Sequence, residues 1–183
     1  MKCVLVAMAV AMIGAGAAVA QAPRTGQGLD ETLGFIRDKT AQQGPINYAA
    51  ATRDSADGRS WSNQFSAEAS NVIADVPTCH LNFHWHTVVD GKVIFDGEGG
   101  IPFGMVNQVV VTSMDADIGR ISAEGGHPTW TSNVTPAVWV VTTHRTSGPS
   151  NSLDFRDRDL AERVARAMRH AAELCGGTKR EAF

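Results

Sequence analysis

Little in this chain marks its chemistry outright. Cysteine is scarce, three residues in 183, too few for the disulfide-dense scaffolds of very small secreted domains. There is a single tyrosine. No block of Lys and Arg interrupts the sequence, so nothing would track a nucleic-acid backbone. No polybasic patch flanks an apolar segment, which removes the usual electrostatic hold on an anionic membrane. Beyond the first twenty residues no run is apolar enough to span a bilayer, and no internal repeat is visible. The nucleophile elbow G-x-S-x-G, the zinc motif H-E-x-x-H and the phosphate-binding G-K-[ST] are all missing. Gly97 to Gly104 is glycine-rich but carries no lysine, and it reads as turns rather than a phosphate cradle.

What is present begins at the N-terminus. Met1-Lys2 gives one positive charge, and an uncharged run from Cys3 to Ala20 follows, ending in Ala18-Val19-Ala20. A basic start, an apolar middle and an A-x-A end predict a cleavable export signal over residues 1–20. The alternative is a retained anchor, but the run is short for a span and diluted by Ala and Gly. Cys3 precedes the apolar run, so no lipobox can lie before it. Cleavage after Ala20 leaves Gln21 at the head of one domain, residues 21–183, with periplasmic or secreted placement expected. Loss of Lys2, the only charged residue in the run, takes the net charge from −3 to −4.

Removal of Cys3 leaves Cys79 and Cys175. An even pair in an oxidising compartment predicts one disulfide. Two buried free thiols are the plain alternative.

Along the mature chain, Leu29, Leu33, Ile36 and Thr40 fall at helical spacing, and Gly44-Pro45 closes a predicted helix over 29–43. Residues 46–60 show no apolar period and read as a loop. From Trp61 to Phe155 short strand signals take over, at Asn71–Val76, Val109–Ser113 and Ala137–Thr143. Asp90-Gly91, between Thr87–Val89 and Val93–Phe95, marks a hairpin. Asp115 and Asp117 read as part of a solvated loop. Trp61, Trp85, Trp130 and Trp139 read as core or half-buried sheet residues. A last helix starts at Asp159, with Glu162 at capping-box spacing. Its stripe is Leu160, Val164, Ala167, Met168, Ala171 and Cys175, and Gly176-Gly177 stops it. The fold predicted is therefore α+β: an N-terminal helix, an antiparallel sheet of about six or seven strands, and a C-terminal helix packed on the sheet. A pleckstrin-homology-like sheet closed by a helix fits that order.

One constellation carries candidate chemistry. Alternation along a strand puts Cys79, Leu81, Phe83, Trp85 and Thr87 on one face and His80, Asn82, His84 and His86 on the other. Imidazoles two residues apart stand about 6–7 Å from each other at the backbone and can converge on one ion. His84 and His86 are thus candidate zinc or copper ligands. His80 lies about 13 Å from His84 and cannot easily complete that site. His144 is a candidate third ligand, as are His127, Glu98 and Glu68 by residue type. The plain alternative is a polar, solvent-facing strand face.

The segment from Asp157 to Phe183, DRDLAERVARAMRHAAELCGGTKREAF, resembles the C-terminal signature of a family of uncharacterised exported bacterial proteins. Glu31-Thr-Leu-Gly-Phe-Ile-Arg and Cys79-His-Leu-Asn-Phe resemble its other recurring pieces. The resemblance implies a helix–strands–helix order and a bacterial envelope setting. It implies no activity and no catalytic residue.

Two functional expectations follow. The first is a non-enzymatic exported module binding a protein or small-molecule ligand through its sheet face or loops. The second is a metal-binding protein or metal-dependent hydrolase using His84 and His86.

Overall fold

A computed structural model of the protein describes residues 25–177. The export signal and its cleavage site lie outside the described residues. The order along the chain is α1 (Thr25–Ala41), β1 (Ile46–Asp54), β2 (Ser60–Asp75), β3 (His80–Val89), β4 (Lys92–Pro102), a 3₁₀ turn (Phe103–Met105), β5 (Val106–Ser113), α2 (Met114–Glu124), β6 (Trp130–Thr135), β7 (Trp139–Arg145), β8 (Asn151–Phe155) and α3 (Arg158–Leu174). The protein is α+β with helices at both ends of its strand run. Among the described residues the strands number eight and divide into two antiparallel sheets, ordered β4-β3-β2-β1-β6 and β5-β7-β8.

Several local expectations are corrected. Residues 46–54 are not loop. Ile46, Tyr48, Ala50 and Thr52 are buried in strict alternation. Ala and Thr in place of branched apolar residues made the period hard to see. Met114–Glu124 is helical, so Asp115 and Asp117 sit in a first helical turn, where acids favour the dipole. Gly119 in its middle weakened the helix signal. Gly97, Gly99 and Gly100 lie inside β4 rather than in turns. The first helix runs from Thr25 to Ala41 rather than over 29–43. α3 is capped by Asp157, whose Oδ1 accepts from the Leu160 amide at 2.7 Å, not by Asp159.

The larger core joins both end helices to both sheets. Leu33 and Ile36 of α1 and Val164 and Met168 of α3 pack with Leu81 and Phe83 of β3 and Leu153 and Phe155 of β8. The smaller core lies on the opposite face of the three-stranded sheet, where Tyr48 of β1 meets Val138, Val140 and Met114. Tyr48 stacks on Phe65, its partner in the β1–β2 ladder, with centroids 5.0 Å apart.

Cys79, just before β3, and Cys175, just after α3, have Cα atoms 6.0 Å apart and their sulfurs at bonding distance. That geometry accommodates the predicted disulfide. The closing helix is held there a second way. Gly177 donates to the Ala172 carbonyl at 2.8 Å in a helix-ending bond. It also presses on the 3₁₀ turn, so a Cβ at Gly177 would stand 2.1 Å from the Phe103 carbonyl oxygen. No side chain fits there. Removing the cross-link between residues 96 apart in sequence, by Cys175→Ser, is expected to cost about 2–5 kcal/mol in a denaturant melt. Reduction should raise the mass by about 2 Da. An unchanged midpoint in Cys175→Ser would refute a stabilising cross-link.

Asp154 on β8 is half-buried, and burial pushes its carboxyl up to about 7, with the Asp117 charge adding to the effect. A carboxyl raised on folding costs nothing below its ordinary value near 3.8. Stability is lost as pH climbs from there to about 7 and stays low above. Asp154→Asn is therefore expected to melt several degrees above the native protein at pH 8 and close to it at pH 4, by circular dichroism. Coincident melts at pH 8 would sink this reading.

Candidate functional site

The alternation read along β3 is present in space. Leu81 and Phe83 are buried on its inner face, and Trp85 packs against the same core. His84 and His86 stand on the outer face. Antiparallel pairing sets Glu98 of β4 opposite His84 and Asp96 opposite His86, while Glu68 of β2 faces His86 from the other side. Cross-strand partners share a face, so two imidazoles and three carboxylates gather there. Glu98 and Glu68, named from the sequence by residue type, are both brought beside the histidines, whereas Asp96 lies on β4 and β3 by itself could not identify it.

The contacts are specific. His84 Nε2 lies 2.6 Å from Asp96 Oδ1, and His84 Nδ1 lies 3.3 Å from Glu98 Oε1. His86 Nδ1 lies 3.2 Å from the same Asp96 oxygen. Both ring nitrogens of His84 thus face carboxylates, the arrangement that favours a doubly protonated imidazolium. The Asp96 and Glu98 hydrogen bonds raise the His84 pKa above its ordinary value. The same bonds, from His84 first and His86 second, lower that of Asp96.

A metal ligand must offer a free ring lone pair. In this arrangement His84 has its nitrogens against carboxylates. Among the described residues no group of three or more His, Cys, Asp or Glu side chains is placed to hold a metal ion. His144 is not brought to the pair. It sits on β7 of the other sheet, with its Nδ1 2.9 Å from Ser150 Oγ. His127 is elsewhere again, stacked on Trp130 at 3.9 Å between centroids.

The inner face of the same two strands carries a different feature. Where β4 and β8, an edge strand of each sheet, approach one another, a groove of about 370 Å³ opens. That volume suits a small ligand. Phe83, Trp85 and Phe95 line one side, with Phe83 and Trp85 edge-to-face at 6.1 Å. Ser150, Asn151 and Ser152 line the other, and Glu98 stands at the rim. Gly99 makes the aromatic side possible, because a Cβ there would meet Phe83 Cε2 at 2.5 Å. Phe95 remains half exposed on the open edge, at 50%.

Sequence reading placed Trp85 as a core or half-buried sheet residue. It is half-buried, and its free part faces this groove. The groove joins two segments, Phe83–Gly99 and Ser150–Ser152, separated by some 50 residues of chain, and the one sequence signal was the aromatic–glycine pairing of β3 and β4. No protein-family model, curated protein or solved structure matches the chain.

The His84 cluster makes a direct prediction. In a ¹H–¹³C NMR titration His84 should lose its proton above the ordinary histidine value, and Asp96→Asn should bring it back down. The ion pair then adds stability that is complete below the ordinary histidine pKa and fades as pH rises through the raised one. A His84 titrating as in a free peptide would refute the cluster.

Proposed function

We propose that the chain is an exported, non-enzymatic binding module, periplasmic or secreted, that holds its ligand in the groove between β4 and β8. The observation carrying this reading is the groove itself: aromatic surface on one wall, hydrogen-bonding side chains on the other, and a glycine at the close approach. Such a pairing of apolar area with a few polar groups is how small-molecule sites are built. Ser150 on the groove wall does meet an imidazole, His144 Nδ1 at 2.9 Å, but among the described residues no carboxylate is hydrogen-bonded to that ring in turn, and a hydroxyl–imidazole pair without an orienting third group supports binding better than catalysis.

Export is supported by the leader pattern of residues 1–20, by the cysteine pair set to close in an oxidising compartment, and by the family resemblance. No helix among the described residues is long and apolar enough to cross a membrane. The metal-binding alternative at His84 and His86 draws less support, since carboxylates already engage both nitrogens of His84.

Two measurements test the proposal. Produced in a bacterial host, the protein should appear in the periplasm or medium with an intact mass starting at Gln21; retention of residues 1–20 in a membrane fraction would refute export. In a fragment screen by NMR on the oxidised protein, hits should move the Trp85 indole and the Ser150–Ser152 amides. Gly99→Ala, which drives the Phe83 ring into the groove, should weaken those hits at least several-fold. Trp61 and Trp130 pack edge-to-face at 4.6 Å and do not line the groove, so hits confined to that pair would overturn the groove assignment.

A further inference from the structure

The groove runs beside an open strand edge, and the two together point to a ligand class; this inference rests on the groove being the binding site. β4 is the last strand of its sheet, and no backbone ladder joins it to β8. Its register with β3 continues to Phe103, whose N–H donates to the Cys79 carbonyl at 2.9 Å. Bonded and non-bonded pairs alternate along an antiparallel ladder. Gly97, Gly99 and Ile101 therefore bond β3, while Asp96, Glu98, Gly100 and Pro102 turn their backbone groups away from it. Pro102, which has no N–H, falls in the outward set, where a strand edge tolerates it. Among the described residues the outward amides of Asp96, Glu98 and Gly100 make no backbone bond to another element. Such an edge is a template for one more strand.

The two faces of that edge differ. On the inner face Phe95, opposite Thr87, and the glycines Gly97 and Gly99 lie beside the aromatic wall of Phe83 and Trp85. Glycine in a strand lets a second backbone come close. On the outer face stand Asp96 and Glu98, opposite His86 and His84, with Glu68 beyond them on β2. Three carboxylates against two imidazoles leave this face negative in every protonation state of the histidines. Glu98 is the most open of the ion-paired acids there, its side chain 82% exposed. A second copy of the same edge would set these acids against their own kind, and like charges directly opposite destabilise a strand pair. The register break at Ile94 further disrupts the pleat just before them. A basic partner meets no such repulsion.

An added strand sends alternate side chains to the two faces. One set enters the groove against Phe83, Trp85 and Phe95, and the other lies over Asp96 and Glu98. We propose that the groove and the β4 edge together bind an extended peptide in which apolar residues alternate with Lys or Arg, added beside β4 as the next strand of the five-stranded sheet.

The probe is acetyl-Lys-Leu-Lys-Leu-Lys-Leu-Lys-amide, titrated into the oxidised protein while the backbone amides of Asp96, Glu98 and Gly100 and the Trp85 indole are followed by NMR. All four signals should move together, and solvent exchange of the backbone amides should slow. The same peptide with Glu in place of Lys should bind roughly ten-fold more weakly, and Glu98→Lys should narrow that gap several-fold. Because Glu98 is so exposed, this variant should keep the native Leu81 and Phe83 signals, which separates lost binding from lost folding. Two further forms carry N-methyl groups on the lysines or on the leucines. Only alternate residues of an added strand turn their N–H toward β4, so one form should lose binding roughly ten-fold and the other keep it. Equal binding by both methylated forms and the parent would overturn strand addition. A dimer of the peptide-free protein with the β4 amides at its interface would put a second copy on the edge and overturn the proposal as well. Peptides that leave β4 untouched, with fragment hits still at the groove, would overturn the peptide class and leave the groove as a site. If fragments too avoid the groove, the binding-module reading falls with it.

Discussion

Side chains alternate across β3, and nearly everything of interest hangs on the two faces this creates. The inner face begins beside Cys79 and continues through Leu81, Phe83 and Trp85. It supplies the anchor for the closing helix, the wall of the larger core and the wall of the groove, in that order along one strand. The outer face supplies His84 and His86. A shift of one residue in register would exchange the two sets, exposing Leu81 and Phe83 and burying two histidines. Burial of the inner set therefore holds the outer cluster in place, although the cluster contributes little to the core.

The neighbouring strands complete what β3 begins. β4 places Asp96 and Glu98 against the histidines on one face, and the Gly97–Gly99 strip with Phe95 beside the aromatics on the other. Glu98 stands where the two meet, bonded to His84 and lining the groove rim. β8 comes from the second sheet and brings the polar wall. Its neighbour α3 ends at Cys175, opposite the start of β3. The cysteine pair and the groove thus lie at the two ends of one inner face.

Two interior features run against simple packing. Asp154 places a carboxyl between the sheets, where burial raises its pKa to about 7. Asn151, three residues earlier on the same strand, holds a buried donor without a partner. Both lie on β8, the strand that forms one side of the groove. Buried polar groups left short of partners are costly and concentrate where a protein does something other than fold.

The sequence by itself determined what depends on local periodicity. The stripe of α3 through Val164, Met168 and Ala171, the Asp90-Gly91 hairpin with φ of 48° and 76°, and the in-out alternation of β3 are all set by neighbours along the chain, and each was legible there. The even cysteine pair was legible too, because only counting and compartment entered. Tertiary structure decided the rest. The Ala- and Thr-bearing strand β1 has a period that only burial against Tyr48's neighbours reveals. α2 forms with Gly119 at its centre because Met114 and Ile118 find an apolar surface to cover. The split into two sheets, the carboxylates facing His84, and the placement of His144 away from it all depend on which strands pair. Pairing joins residues far apart in sequence, and no local pattern encodes which strand another will meet. The groove is the extreme case, because half of it belongs to each sheet.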